Sequence, residues 1–313
     1  MRPVVARFAA LFIAAVVGAN VVSATSPAAT AVPAPKLDRR VSDEADPGCG
    51  GKRPVKARAT AKRKTTRFRC TFSDEFDGTQ LDTDVWVAQH TAWSGMSSGN
   101  FDCLVGNDPD NISVGGGVLR LTARVEPEEF LCRNPAGNFM TDTTGANIST
   151  YKTFSQAYGR FSFRARFPNT TAPGVHSALW MYPQDHAYGR WPDSGEIDVA
   201  EWFSSGVTTV LPSLHYRGEK WPHTTGWTCS MEEPWKWHTY TVEWTKHEMK
   251  FKYDRKTCWT TGWAPDAPLT GGQPFDKPFF LTMSQVFGFN DNAVTEATPS
   301  SATMQVNWVR VWK

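Results

Sequence analysis

The chain has 313 residues and a formal net charge of +2, and it contains 14 Trp, 19 Phe and 7 Tyr. This length accommodates one large domain or two small ones, and a single all-β domain often reaches about 200 to 250 residues. The near-neutral charge gives no argument for nucleic acid as a partner. The abundance of large aromatic side chains is the compositional feature that needs an explanation.

The N-terminus has the pattern of a secretory signal peptide. Arg2 and Arg7 give it a basic start, and residues 8–22 form an apolar run that is too short for a transmembrane helix. Small residues offer cleavage at residue 24 or at residue 31. We therefore expect a signal peptide within residues 1–31, a secreted, extracellular mature protein, and no membrane association after cleavage.

Residues 32–67 are predicted to be a linker. The segment is rich in Ala, Pro, Lys and Arg and has no apolar periodicity, so it cannot bury enough surface to order itself. The basic run 52–69 could hold the protein on an anionic cell wall, but a solvated tether explains the same composition more simply. The predicted folded domain then covers residues 68–313.

The six cysteines indicate disulfides, because the chain carries a secretory signal and none of them has the C-x-x-C spacing that would indicate zinc. Pairing neighbours along the chain predicts Cys49–Cys70, Cys103–Cys132 and Cys229–Cys258. The sequence alone leaves other connectivities open.

From Phe72 onward the pattern is all-β. Short runs of aromatic and β-branched residues often alternate in polarity, and Gly, Pro, Asn and Asp separate them. The clearest runs are residues 117–123, 159–167, 239–245, 249–254, 279–287 and 304–312. No run has a sustained helical period. Many short strands at this spacing predict a β-sandwich of the jelly-roll type.

The run SGEIDVAEWF places three carboxylates in a segment that otherwise has the composition of a buried strand. Side chains alternate between faces along a strand, so Glu196 and Asp198 share a face while Glu201 points away. A β-bulge at Val199 or Ala200 would add one residue and return Glu201 to the face of the other two. The alternatives are charged residues that protect a strand edge, or a calcium site.

Three carboxylates on one face suit the hydrolysis of a glycosidic bond with retention of configuration. One carboxylate must be ionised to attack the anomeric carbon, and another must keep its proton near neutral pH to protonate the leaving oxygen. Crowding of like charges drives their pKa values apart. Asp198, between the two glutamates, can orient the nucleophile while its charge helps the acid to keep its proton.

The same run resembles the E-x-D-x-x-E signature of glycoside hydrolase family 16, in the bulged form typical of bacterial laminarinases, agarases and carrageenases. The similarity continues in FSDEFDGTQLDTDVW, in residues 146–168, in WHTYTVEWT and in the terminal MQVNWVRVWK, so that it covers about residues 68–313. It implies a β-sandwich jelly roll with an open concave cleft, and endo-attack on a β-linked polysaccharide. We expect the protein to be a monomer.

Matched residue by residue, the family pattern makes Glu196 the nucleophile, Glu201 the general acid/base and Asp198 the assisting carboxylate. The resemblance implies no cofactor. Many family members hold a structural calcium ion with an Asp in the last strand, but the matching position here is Asn307, which lacks the charge. We therefore do not expect calcium.

The resemblance also implies substrate contacts. Trp180 and Trp191 match positions that stack on sugar rings near the cleavage point, whereas Trp202 should face the opposite way, into the core. Asn100 and Arg164 match positions that bind sugar hydroxyls, although either side chain could instead be a structural anchor.

Two histidines complete the predicted site. His215 lies in a strand that resembles one facing the catalytic strand across the cleft. Laminarinase-like members usually contain G-x-W-P-A-x-W, whereas this chain has GVHSALW, so His176 and Ser177 replace a Trp-Pro pair and one sugar platform is missing or replaced. Gln285 is a further departure, at a point where many laminarinases continue into a Gly-rich turn.

The expected substrate is therefore β-1,3-glucan or mixed β-1,3/1,4-glucan. The alternatives are a hydrolase of the agarase or carrageenase type, a transglycosylase, and a β-glucan-binding module without catalysis. A sulfated substrate would need a basic cleft. The candidate cations are Arg160, Arg164, Arg166 and Arg190.

Overall fold

A computed structural model describes Cys49 and residues 69–106, 108–220 and 222–313. All of these residues lie in the compact unit Ala45–Lys313. The predicted signal peptide, the predicted linker apart from Cys49, and all of the basic run except Arg69 lie outside the described residues. Within the described ranges, no helix combines the length and the apolar character needed to cross a membrane.

The described part of the chain is built almost entirely from strands. They are β1 (Cys70–Asp74), β2 (Val87–Ala88), β3 (Cys103–Leu104), β4 (Ile112–Val114), β5 (Leu119–Cys132), β6 (Phe139–Ser149), β7 (Gly159–Arg166), β8 (Val175–Pro183), β9 (Glu196–Phe203), β10 (Val210–His215), β11 (His238–Trp244), β12 (Met249–Tyr253), β13 (Lys256–Thr261), β14 (Phe279–Phe287) and β15 (Ser301–Trp312). Short helical turns are α1 (Thr91–Ser94), Ser204–Gly206 and Asn290–Asn292. Each of the six runs predicted from the sequence overlaps one of these strands.

The main strands follow the order β10-β9-β8-β14-β6-β5-β15-β7-β11-β12-β13, and neighbours along this path are antiparallel. The sheet curves so that β10, β9, β8 and β14, here called the cleft layer, pack against β15, β7, β11 and β12, here called the back layer. Trp244 of β11 meets Phe279 of β14 edge to face, with 5.4 Å between ring centroids. The predicted β-sandwich jelly roll is confirmed.

Alternation along each strand decides which side chains fill the space between the layers. On β7, Phe161, Phe163 and Ala165 are fully buried and belong to the core, so the residues between them face outward. Strand β14 is buried at every position, because one face covers the core and the other forms the floor of the cleft. This double burial explains why β14 carries small polar residues inside an otherwise apolar strand.

All three predicted disulfides are present: Cys49–Cys70, Cys103–Cys132 and Cys229–Cys258. The second joins β3 to the end of β5, and the third joins the segment before β11 to β13. In the chain-entropy model, closing loops of this size contributes about 3 to 4 kcal/mol each to stability.

Candidate active site

Strand β9 carries the three carboxylates and contains a bulge at Val199. Ala200 pairs with Leu179 on β8, and Asp198 pairs with the next residue along β8, so Val199 is left without a partner there. Both Val199 and Ala200 are fully buried in the core. The extra residue reverses the alternation, and Glu201 therefore lies on the same face as Asp198.

This face forms the floor of an open cleft on the concave side of the cleft layer. The residues that line it are Met96, Ser97, Ser98, Gly99, Leu104, Asn147, His176, Ala178, Trp180, Glu196, Asp198, Glu201, Ser284, Val286 and Phe289. The three carboxylates thus meet in one cleft, with the loop after α1 as one wall. None of these described lining residues is Lys or Arg.

Glu196 is held by an aromatic neighbour. Its Oε2 accepts a hydrogen bond of 2.5 Å from the indole Nε1 of Trp191. The ring of Trp191 is 53% exposed and lies 5.9 Å from the imidazole of His215. Burial and the negative charge of Asp198 raise the pKa of Glu196 well above its ordinary value, while the charge of His215 and the Trp191 hydrogen bond oppose this change.

Asp198 and His215 form an ion pair at the centre of the site. Asp198 Oδ2 lies 3.3 Å from His215 Nε2, and the Asp198 side chain is only 4% exposed. On its other side, His215 Nδ1 lies 3.0 Å from Glu219 Oε2. Burial and the charge of Glu201 raise the pKa of Asp198 to about 6, against the opposing effect of His215.

The surrounding carboxylates keep His215 protonated. Burial alone would lower its pKa, but contact with Asp198 and the charges of Glu196 and Glu219 raise the pKa to about 10. Asp198, Glu201 and His215 bring one potential metal ligand each within 4.8 Å of one another. Histidine binds a metal ion as the neutral imidazole, so with a protonated His215 we interpret this cluster as an ion-pair network.

Glu201 contacts the other histidine. Its Oε1 lies 3.1 Å from His176 Nε2, and the two side chains are 19% and 14% exposed. The His176 ring stacks on Phe203, with centroids 4.3 Å apart and planes 7° apart. His176, predicted as a substrate contact, is therefore also a neighbour of the predicted acid/base.

The two other departures from the laminarinase pattern are partners of each other. Ser177 on β8 pairs with Gln285 on β14, and the Ser177 hydroxyl donates a hydrogen bond of 2.6 Å to Gln285 Oε1. Both residues are fully buried. The Gln285 amide also donates to the main-chain carbonyl of His176 at 3.3 Å. The substitutions at these positions thus form one hydrogen-bonded unit under His176.

Trp180 lies in the cleft as predicted, and polar residues that the sequence pattern did not single out hold its ring. The indole Nε1 donates to Ser284 Oγ at 2.8 Å, and Asn147 Nδ2 donates to the same oxygen at 2.6 Å. The polar positions that interrupt FFLTMSQVF were the available signal for Ser284, whereas nothing local pointed to Asn147. Trp202 is fully buried in the core, as expected.

The structure does not bring Arg164 to the cleft, which contradicts its predicted role in substrate binding. Arg164 lies between Phe163 and Ala165 on β7, and both of these face the core, so the arginine points outward from the back layer. Its guanidinium donates a hydrogen bond of 2.9 Å to Asn307 Oδ1. Alternation along β7 therefore makes Arg164 a structural anchor.

Asn100 lies in the loop that forms the cleft wall but is not among the residues that line the cleft. Its Nδ2 donates to Asp102 Oδ1 at 3.1 Å, and the buried Asp102 carboxylate also accepts from the Phe287 amide at 2.6 Å. The contacts favour the anchoring alternative for Asn100. Glu219, which the sequence pattern did not indicate, joins the site through its contact with His215.

A family model and individual relatives of known sequence were found to match this chain, and they agree on the family. A family model described as beta-porphyranase A-D, GH16 domain, matches residues 69–313. Glucan endo-1,3-beta-glucosidase A1 of Niallia circulans is 32% identical over 77% of this chain, and the match spans 37% of that protein's length. Beta-glucanase of Rhodothermus marinus is 30% identical over 80% of this chain and 87% of the relative.

Comparison with solved structures indicates the same family. The X-ray structure of the laminarinase from Rhodothermus marinus superposes with a TM-score of 0.66 at 28% identity, covering 79% of this chain and 97% of that one. The region matched by the family model contains the whole cleft and the bulged strand β9. The chain therefore belongs to glycoside hydrolase family 16, as the E-x-D-x-x-E motif predicted, and is an endo-β-glycanase of that family.

Proposed function

We propose that the protein is a retaining endo-β-glucanase that cleaves β-1,3-glucan or mixed β-1,3/1,4-glucan by double displacement. The observation that carries the proposal is the bulged strand β9, which presents Glu196, Asp198 and Glu201 on one face of an open cleft. Glu196 is the nucleophile, Glu201 the general acid/base and Asp198 the assisting carboxylate.

In the first step, the polysaccharide lies across the cleft with sugar rings against Trp180 and Trp191, whose flat faces suit the apolar C–H faces of sugars. The Glu196 carboxylate attacks the anomeric carbon while Glu201 gives its proton to the leaving oxygen. In the second step, Glu201 takes a proton from water, and the water oxygen displaces Glu196 from the anomeric carbon. Two inversions leave the product with its original configuration.

Two contacts of Glu196 favour the ionised form that a nucleophile needs, against the burial and the Asp198 charge that raise its pKa. Glu196 has a hydrogen-bond donor in Trp191 and the charge of His215 nearby, and both favour its ionised form. The raised pKa values of Glu196 and Asp198 keep a proton within the cluster close to neutral pH.

The charges around the cleft favour a neutral polysaccharide over a sulfated one. The described lining residues include three carboxylates and no Lys or Arg, so a sulfate group beside them would be repelled. Three of the four candidate arginines share the outward face of β7, away from the cleft. Arg160 pairs with Glu243, and Arg166 donates to Gln305.

A second candidate is an endo-hydrolase of a galactan. The observation that favours it is the description of the matching family model, which names beta-porphyranases. The loss of the Trp-Pro pair at His176 and Ser177 also separates this cleft from the laminarinase pattern. A binding module without catalysis is less favoured because both glutamates are present, and transglycosylation would use the same residues as hydrolysis.

The test is a substrate panel of laminarin, lichenan, agarose, porphyran, carrageenan and xyloglucan, with reducing-sugar release and product analysis. We expect release from laminarin or lichenan by the wild type and none by the matched Glu196→Gln variant. Release from agarose or porphyran alone would establish the galactan alternative. Binding without release by the wild type would establish the binding module, and products longer than the substrate would reveal transglycosylation.

We also propose that the protein acts outside the cell, on the basis of the signal-peptide pattern in residues 1–31. N-terminal sequencing of protein from the culture medium would locate the cleavage site. Binding of the protein to isolated cell walls, with and without residues 52–69, would decide between the tether and the wall-binding interpretation of the basic run. Protein found only inside the cell would contradict the proposal.

A further inference from the structure

The bulge in β9 has a partner in the opposite layer. The hydroxyl of Tyr253, the last residue of β12, donates a hydrogen bond of 3.0 Å to the main-chain carbonyl oxygen of Val199. Val199 is the residue that the bulge adds to β9 and that has no partner on β8. A bulge disrupts the ladder at such a residue, so its polar groups depend on other donors and acceptors.

The strand on the other side of β9 cannot supply an amide at this point. Leu211 of β10 pairs with Glu201, and Ser213 pairs with Asp198, which leaves Pro212 opposite the bulge. Proline has no N–H to donate. The Tyr253 hydroxyl supplies a donor from the back layer instead.

The position of Tyr253 is itself fixed. Its ring is 4% exposed and packs against Tyr240, its cross-strand partner on β11, with 4.9 Å between centroids. The next residue, Asp254, accepts a hydrogen bond of 2.9 Å from the Thr239 amide and so attaches the end of β12 to β11. Burial raises the pKa of Tyr253 well above its ordinary value, so the hydroxyl remains a donor at any ordinary assay pH.

We propose that Tyr253 is a positioning residue for catalysis: its hydrogen bond to Val199 fixes the bulge and thereby the placement of Glu201 relative to Glu196. Only Ala200 separates Val199 from Glu201 along the chain. Displacement of a reacting group by about 1 Å can cost about 100-fold in rate. The kinetic part of this inference rests on the proposed function.

The chain provides a matched control in Tyr240. Its side chain is fully buried beside Tyr253, but among the described residues its hydroxyl has no hydrogen-bond partner. Tyr240→Phe and Tyr253→Phe therefore delete the same atom from neighbouring buried rings. Among the described residues, only the second deletion removes a hydrogen bond to β9.

For Tyr253→Phe we expect kcat on the active panel substrate to fall about tenfold or more, because the acid/base is misplaced. KM should stay near the wild-type value, because Trp180 and Trp191 lie outside β9. Tyr240→Phe should keep wild-type kcat. Replacing Tyr253 by 4-aminophenylalanine, which retains a donor at the same position, should restore most of the rate. An unchanged kcat in Tyr253→Phe, or equal losses in both phenylalanine variants, would overturn the proposal.

Crystal structures of the two variants test the same contact without a substrate. We expect the Glu201 carboxylate or the Val199 carbonyl to move in Tyr253→Phe and to stay in place in Tyr240→Phe. If the wild type hydrolyses no polysaccharide, the proposed function fails while this comparison still decides whether Tyr253 holds the bulge. Superposable β9 strands in both variants would overturn the positioning role.

Discussion

Two histidines contact the carboxylates of β9 from different directions. His215 is charged and lies between Asp198 and Glu219, whereas His176 contacts Glu201 and is held flat by the ring of Phe203. The first histidine offsets negative charge that burial would otherwise penalise. The second stands where laminarinase-like members usually have a tryptophan, so a polar neighbour of the proposed acid/base occupies the place of a sugar platform.

Replacing His215 by Gln should move the acidic limb of the pH profile. The charge on His215 lowers the pKa of Glu196 and of Asp198, so its loss raises both values and moves the acidic limb of kcat/KM to higher pH. At a fixed pH below that limb, activity should fall about tenfold for each pH unit by which the limb moves. The measurement is kcat/KM between pH 4 and pH 9. His247→Gln, at an exposed histidine in the turn after β11, is the control, and an unmoved limb in His215→Gln would contradict the electrostatic role.

The roles of the two glutamates can be separated with azide as an external nucleophile. Glu196→Ala should lose roughly 10⁴-fold or more in kcat, because the covalent step is lost. Azide that enters the space vacated by the Glu196 carboxylate attacks from the same face, so an activated β-glycoside should give the inverted azide. Glu201→Ala still forms the glycosyl-enzyme, and azide should then give the retained azide. NMR of the products distinguishes the two outcomes, and the reverse pattern would exchange the roles.

At the scale of the element, the bulge gives β9 two faces of different character. The core face receives Val199 and Ala200, while the cleft face receives the carboxylates on both sides of them. The E-x-D-x-x-E spacing made this irregularity predictable, because no regular strand puts all three carboxylates on one side. The same spacing suggests what happens when the extra residue is removed.

Deleting Val199 should remove the bulge without moving any carboxylate to the core. The shortened strand would place the two glutamates and Asp198 at alternate positions, with Ile197 and Ala200 between them on the core face. We expect a folded protein with measurable activity, less stable by about 2 kcal/mol because one buried valine is lost.

Deletion of Ile197 is the matched control for the Val199 deletion. It moves Asp198 out of alternation with Glu196, so we expect no activity from that variant. Urea unfolding and turnover on the active substrate measure both deletions. Full inactivity of a folded Val199 deletion would show that the bulge does more than set the faces.

Other parts of the site could not be predicted from the sequence, for identifiable reasons. Asn147 reaches Ser284 from β6, a contact between residues 137 positions apart that leaves no local pattern. Arg164 matches a family position, but whether its side chain reaches the cleft depends on which face of β7 it occupies. Its two neighbours on β7 face the core, so Arg164 faces outward. Local periodicity predicts which residues of a strand share a face. What each face packs against depends on strand pairing across the whole chain.

For the whole molecule, the sequence was sufficient for the all-β class, whereas the three disulfides were one choice among several connectivities that the sequence left open, and the structure decided between them. The strand order was not predictable, because it depends on long-range pairs such as β1 with β15. Two of the disulfides close loops of the same sequence separation, 29 residues, at different places in the fold. Cys103–Cys132 lies next to the loop that forms the cleft wall, and Cys229–Cys258 is outside the cleft lining.

These two disulfides make a stability test with its own control. Replacing either pair by serines should lower the free energy of unfolding by about 3 to 4 kcal/mol, because the loops are equal in length. Only loss of Cys103–Cys132 should also raise KM, since it frees the wall formed by Met96 to Gly99. Denaturant unfolding and steady-state kinetics provide the two readouts. An equal change of KM in both variants would contradict this assignment.

The Cys49–Cys70 disulfide has a consequence for processing. It encloses the whole basic run, so a protease that cuts once between Cys49 and Cys70 opens a loop and does not divide the protein into separate molecules. The segment before the cut remains covalently attached to β1 until the disulfide is reduced. Such a cleavage would be visible on a reducing gel and hidden on a non-reducing one, and whatever the N-terminal segment binds would still be joined to the catalytic domain after nicking.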